Sequence, residues 1–163
     1  MTASAIRKWR TIVAAKARRC ERIEADLARE RQALAERQTL LDEAVQARTA
    51  AQNNQVEHEA RIVSLLDGAM RLPTSHYLLH DAWRGPLKEA LDEARAAERK
   101  KRTALERQQA QVVEQAAALS KAQGSFDECR RKLDTLLRAA AVAAELAADE
   151  EAAENLLARR HAR

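Results

Sequence analysis

Residues 3 to 67 contain neither glycine nor proline, and within them Ile6, Val13, Cys20, Leu27, Leu34 and Leu41 recur at every seventh position. A strict apolar heptad is the seam of a left-handed coiled coil, because a slightly under-wound helix keeps that one stripe facing its partner. Beyond Leu41 the apolar residues Val45, Val56, Val63, Leu66 and Met70 fit a frame displaced by four. That displacement predicts a stutter, which relaxes the supercoil locally. The stretch "AQNNQVEHEAR", residues 51 to 61, offers a weak seam, so looser pairing is expected there.

The pattern returns after residue 86. Leu91, Leu105, Val112, Leu119, Phe126 and Leu133 share one frame, in which Glu98 is the exception, and Leu87, Ala94, Ala122, Cys129 and Leu136 supply a companion row. Gly124 is a weak spot worth about 1 kcal/mol against alanine, and it is not expected to break the helix.

Between the two arms the composition changes. "MRLPTSHYLLHDAWRGPL", residues 70 to 87, holds both prolines, Pro73 and Pro86, and two of the four aromatic residues, Tyr77 and Trp83. The reading is an all-α chain, an antiparallel coiled-coil hairpin with a first arm over about 3–70, a tip over about 68–86 and a second arm over about 87–160. Pairing Leu41 with Val112, Leu34 with Leu119, Leu27 with Phe126, Cys20 with Leu133 and Val13 with Ala140 makes each pair of numbers total 153, and shifts of seven are also permitted. The apex of that pairing falls between His76 and Tyr77. Each arm would be roughly 100 Å long at 1.5 Å per residue. In the tip, Pro73 ends the first helix, Thr74 or Ser75 caps a short new one, and Pro86 suits the first position of the next.

Composition argues against a globular enzyme. Of 163 residues 37 are alanine and four are aromatic, so there is little bulk to fill a broad core. One third of the chain is charged, which with abundant Ala, Glu, Arg and Leu marks a long helix or coiled coil. No glycine-rich phosphate loop, nucleophile elbow or pocket-forming carboxylate pair occurs, and two helices alone lack the concave walls of a catalytic site. The chain is read as a non-enzyme without cofactor. His76 and His80 have the four-residue spacing of metal ligands, but there is no His-Glu-x-x-His pattern and no nearby cysteine, and they read as polar side chains at a solvated tip. No apolar run is long enough for a membrane span, and "TIVAA" is too short for a signal-peptide core. Cys20 and Cys129 sit in helical segments without a disulfide framework, so a cytoplasmic setting is expected. The register above brings them within a few residues, where they read as small seam residues. Nucleic-acid binding lacks interleaved aromatics, and the alanine-rich seam is too small-sided for a lipid surface.

Two surfaces remain for partners. Residues 1 to 22 carry Arg7, Lys8, Arg10, Lys16, Arg18, Arg19 and Arg22 against the single acid Glu21, with Ile6 and Trp9 among them, and the C-terminus adds Arg159 and Arg160. A hairpin brings both ends together, which predicts one basic cluster, compensated in part by Glu145, Asp149, Glu150, Glu151 and Glu154. It is either a solvated face or a docking surface for an acidic partner. At the tip, Leu72, Tyr77, Leu78, Leu79 and Trp83 either seal the end of the hairpin or anchor a partner.

With "RKWRTIVAAKARRCERIEADLARE" opening the first arm and "SHYLLHDAWRGPLKEAL" opening the second, the chain resembles the central-stalk proteins of type III secretion, the FliJ- and YscO-like proteins and the small coiled-coil Hrp-type proteins. Gly85-Pro86 departs from the continuous helix of that family. The resemblance implies a monomeric hairpin akin to the shaft of a rotary ATPase. Its terminal end would enter the pore of a hexameric secretion ATPase, its tip would face a membrane protein of the export gate, and secretion chaperones would be further partners. It also implies a cytoplasmic location at the inner-membrane apparatus. A generic coiled-coil scaffold or a chaperone escort outside secretion is the competing reading.

Overall fold

The computed structural model describes residues 2–67 and 73–161. Three helices follow in order, α1 over Thr2–Asp67, α2 over Thr74–Ala82 and α3 over Arg84–His161. No strand occurs among the described residues. Long helices are what the sequence allows: Ala, Leu, Arg, Glu and Gln lose little side-chain freedom in a helix. The threonines are accommodated by hydroxyls that donate back one turn, as Thr49 Oγ1 does to the Val45 carbonyl at 2.9 Å and Thr135 Oγ1 to the Arg131 carbonyl at 2.9 Å. Gly124 lies inside α3 without interrupting it.

The chain forms two compact units, Ala28–Glu114 and the pair of segments Met1–Leu27 with Gln115–Arg163. In the first, α1 and α3 run antiparallel. Gln108 Nε2 donates to the Glu30 carbonyl at 3.1 Å, Arg37 Nη1 to the Ala104 carbonyl at 3.2 Å, and Arg48 Nε to Glu98 Oε2 at 3.0 Å. As the number on α1 rises, its partner on α3 falls, which is the signature of a hairpin.

These links correct the register. The paired numbers total 138, 141 and 146, all short of 153, so the arms of this unit meet one to two heptads from that pairing, by the shifts of seven that the pattern permits. The alanine-rich rows fit several heptad shifts almost equally well, and the polar residues in the seam decide among them.

The stutter is also absent. Ile62 is 1 % exposed, while Val56 is 61 % and Val63 55 % exposed. The first heptad frame continues unbroken from Leu41 through Arg48 and Gln55 to Ile62, with polar residues holding two of its places. Val56, Val63 and Leu66 therefore point outward, and Met70 lies outside the described residues.

The returning arm starts earlier than expected. Helix α2 already belongs to the returning arm, since His80 meets His58 of α1 with ring centroids 5.6 Å apart and its carbonyl 2.8 Å from His58 Nε2. The N-cap of α2 is Pro73, at φ −54° and ψ 134°, with no side-chain cap. Thr74 and Ser75 are helical residues and not caps, because the Pro73 carbonyl starts the helix by accepting from the His76 N–H at 2.9 Å. Only Trp83 separates α2 from α3. Pro86 has no N–H to offer the Ala82 carbonyl four residues back, so the helical ladder breaks there. It sits in the first turn of α3, two residues later than its first position.

In the unit holding both ends, Leu27, Ala122 and Leu133 are buried. Lys132 Nζ stands 5.5 Å from the Trp9 ring centroid, and their numbers total 141. Cys20 and Cys129 are half-buried and both are free.

Candidate partner-binding surfaces

The N-terminal stretch of α1 presents its bases to solvent. Arg7, Lys8, Arg10, Arg18, Arg19 and Arg22 are exposed, and Lys16 is half-buried. None of them forms an ion pair among the described residues. Ile6 and Trp9 are half-buried on the side facing α3, and Trp9 is covered by Lys132. These two close the hairpin and are not part of the outward basic surface.

The C-terminal bases do not join that surface. Trp9 is level with Lys132, so Thr2, seven residues earlier, is level with Ala139. Helix α3 continues to His161, about 33 Å further at 1.5 Å per residue. Arg160 lies at that far end, exposed, and the side chain of Arg159 lies outside the described residues. Arg160 stands in the last turn of α3, where positive charge complements the helix dipole. Glu145, Asp149, Glu150, Glu151 and Glu154 likewise stand past the end of α1 and out of reach of its bases. The single basic cluster expected from the meeting of the ends is therefore replaced by a basic stretch on α1 and a separate acidic stretch on α3.

Near the reversal, the sequence-predicted apolar set divides. Tyr77 is half-buried, Leu78 is 58 %, Leu79 61 % and Trp83 56 % exposed, and Leu72 lies outside the described residues. Val56, Val63 and Leu66 of α1 add an outward apolar stripe in the same unit. The signal for that stripe was the displaced apolar frame itself, which marks an outer face and not the seam.

What positions this surface is Arg84. Its Nε and Nη2 donate to the two carboxylate oxygens of Glu59 at 2.9 and 2.8 Å, and Nη1 donates to Asp81 Oδ1 at 2.9 Å. One guanidinium thus ties the start of α3 to α1 and to α2, in the bidentate geometry that suits arginine. The hydrogen bonds to Glu59 hold the guanidinium pKa above its ordinary value. Beside it, Asn54, Glu57, His58, Arg61, His80, Trp83 and Leu87 line a shallow cleft. His76 is exposed and does not join His58 and His80. Among the described residues no group of three metal-ligating side chains occurs.

The seam residues Val13, Cys20, Leu34, Val112, Leu119 and Phe126 are half-buried, and Leu27, Leu41, Leu105 and Leu133 are buried. Sequence reasoning missed the polar members of the seam. Gln108, 2 % exposed, donates to both the carbonyl and the carboxylate of Glu30. Glu98 accepts from Arg48 at 3.0 Å and from Arg102 at 2.7 Å. The Arg48 hydrogen bond, foremost among the causes, holds the Glu98 carboxyl below its ordinary pKa. Glu98 was visible as the exception in its heptad frame, and Arg48 occupies the matching exception in the other.

Among the described residues no helix is long and apolar enough to cross a membrane. Comparisons with curated proteins and with solved structures give no match. A family model described as "Bacterial type III secretion protein (HrpB7)" matches residues 5–160, which span both long helices and α2. The chain belongs to this family of type III secretion proteins.

Proposed function

We propose that the protein is a non-enzymatic central stalk of a type III secretion export apparatus, acting in the cytoplasm at the inner membrane. The basic N-terminal stretch of α1 docks in the pore of the hexameric secretion ATPase, and the apolar surface around α2 faces a membrane protein of the export gate, with secretion chaperones as further partners. The observation that carries this reading is the exposed basic stretch of α1, in the unit that holds both ends, in a chain of a secretion family. An exposed run of like charge with no internal compensation suits an acidic partner surface, and it speeds encounter with one.

The test is assembly of the cognate secretion ATPase, followed by light scattering with and without the chain. The hexamer population rises with the chain and does not rise when Arg7, Arg10, Arg18 and Arg19 are all replaced by Glu. No binding by a correctly folded hairpin would instead favour a generic coiled-coil scaffold or chaperone escort.

A further inference from the structure

In the unit Ala28–Glu114 the two arms enclose a second shallow cleft, of about 350 Å³, lined by Arg48 and Gln52 of α1 and by Arg95, Glu98, Arg99 and Arg102 of α3. At 3.6 residues per turn, Arg95, Arg99 and Arg102 fall within about 60° of one another on α3. Like charges three and four residues apart on one helix face repel, and they weaken the helix that carries them. Arg99 also opens a run of consecutive bases, Arg99, Lys100, Lys101 and Arg102. Positive charge is thus concentrated where the fold supplies little to neutralise it.

Glu98 is the single acid in the lining, and its carboxylate is taken up inside the cleft wall. It accepts from Arg48 Nε at 3.0 Å and from Arg102 Nη2 at 2.7 Å. Arg95 comes only within 3.7 Å of the Asp92 carboxylate, beyond hydrogen-bond distance. Arg99 is exposed and forms no hydrogen bond or ion pair among the described residues. Gln52 accepts from Arg48 Nη1 at 3.2 Å through Oε1, which leaves its amide N–H groups to donate. Each guanidinium carries several N–H donors in a planar fork, so donors in the cleft far outnumber acceptors. This is the chemistry of an oxyanion site: forked donors, an excess of positive charge, and no aromatic or aliphatic wall.

We propose that this cleft binds a chain of phosphoryl groups, that of an inorganic polyphosphate or of a nucleotide, held along Arg95, Arg99 and Arg102 with Arg48 and Gln52 on the opposite side. From Arg95 to Arg102 the stripe runs about 10 Å at 1.5 Å per residue, too long for a single phosphate and suited to two or three in a row. Guanidinium forks match phosphate oxygens in pairs, which a lysine ammonium does not. Nothing in the lining is shaped to hold a nucleobase, so the phosphate chain alone is recognised. A bound chain bridges α1 and α3 and removes the repulsion among the arginines, and it therefore stabilises the hairpin. This inference does not depend on the stalk reading, since the cleft contains none of the bases proposed to dock.

The test is isothermal titration calorimetry of the full chain, in magnesium-free buffer of fixed ionic strength, with inorganic tripolyphosphate, ATP and orthophosphate as probes. Tripolyphosphate and ATP bind at a single site with equal affinity, and orthophosphate binds about tenfold more weakly or worse, since it engages fewer guanidiniums. Arg95→Gln with Arg99→Gln lowers the tripolyphosphate affinity about a hundredfold, roughly tenfold for each guanidinium lost. Its helical circular dichroism is unchanged, because both residues are exposed. Arg130→Gln with Arg131→Gln removes the same charge from exposed positions in the other unit and leaves the affinity as it is. Saturating tripolyphosphate raises the melting temperature of the wild type and not that of the Arg95 and Arg99 variant. Absence of tripolyphosphate binding overturns the proposal. So do equal losses in the two double variants, which would reduce the attraction to overall charge. Orthophosphate binding as tightly as tripolyphosphate, or ATP binding where tripolyphosphate does not, overturns it as well, because the phosphate chain would then not be the group recognised.

Discussion

Ile62 and Val63 are neighbours of similar chemistry and opposite surroundings, 1 % and 55 % exposed. Ile62→Ala removes buried methyl groups and leaves a cavity, and about 2–4 kcal/mol of stability is lost. Val63→Ala stays within about 0.5 kcal/mol of wild type, because its side chain already meets water. Urea denaturation of the two variants measures the difference directly, and equal losses would restore the displaced frame. A second prediction concerns Glu98. Its carboxyl is held below the ordinary value by Arg48 and Arg102, so the stability it contributes is present above the unfolded-state pKa near 4.3 and is lost as pH falls through the lower folded value. Glu98→Gln is accordingly less stable than wild type at neutral pH. The gap between their urea midpoints narrows as both are taken below about pH 4, and a gap independent of pH would show that the carboxylate charge is irrelevant. Gln108 behaves differently. A single buried polar residue in a seam specifies register at a cost in stability. Gln108→Leu therefore raises the melting temperature and broadens the α1–α3 distance distribution measured between spin labels.

At the scale of elements, the two long helices and their antiparallel course were legible from the absence of Gly and Pro over residues 3 to 67 and from the clustering of both prolines at the midpoint. The register was not. Heptad rows built from Ala and Leu are nearly degenerate under a shift of seven, so apolar spacing alone could not distinguish a total of 153 from one a heptad or two lower. The discriminating contacts are polar, Glu30 with Gln108 and Arg48 with Glu98, and their residues looked like interruptions of the seam. Helix α2 was equally hard to place, since nothing in "SHYLLHDAW" says whether it crowns the reversal or follows it. Its position depends on the hydrogen bond from His58 and on the Arg84 fork, both contacts distant in sequence. Arg84→Ala consequently frees α2 first. Amide exchange over residues 74–82 quickens several-fold while the core of α1 around Leu41 is unchanged, and uniform quickening throughout would contradict that local role.

At the scale of the whole molecule, the sequence separates charge and apolar surface along the chain. Bases collect at the start of α1, acids in the last part of α3, and exposed apolar side chains on α2 and the end of α1. The candidate surfaces were legible as clusters of residue types. Their membership was not, because it follows from the register: with Trp9 beside Lys132, Arg160 stands far past the start of α1 and apart from its bases. For the apolar surface, Leu78→Ser with Trp83→Ser spares binding to the ATPase ring and lowers secretion, with helicity intact since both residues are exposed. Loss of helicity in that variant would make the surface a structural seal. The central claim is that the basic stretch of α1 drives the secretion ATPase, and the most direct measurement is ATP hydrolysis by the cognate enzyme titrated with this chain. The account predicts stimulation by the wild type and none by the chain with Arg7, Arg10, Arg18 and Arg19 replaced by Glu, the two being equally helical. Equal stimulation by both, or none by either, would contradict it.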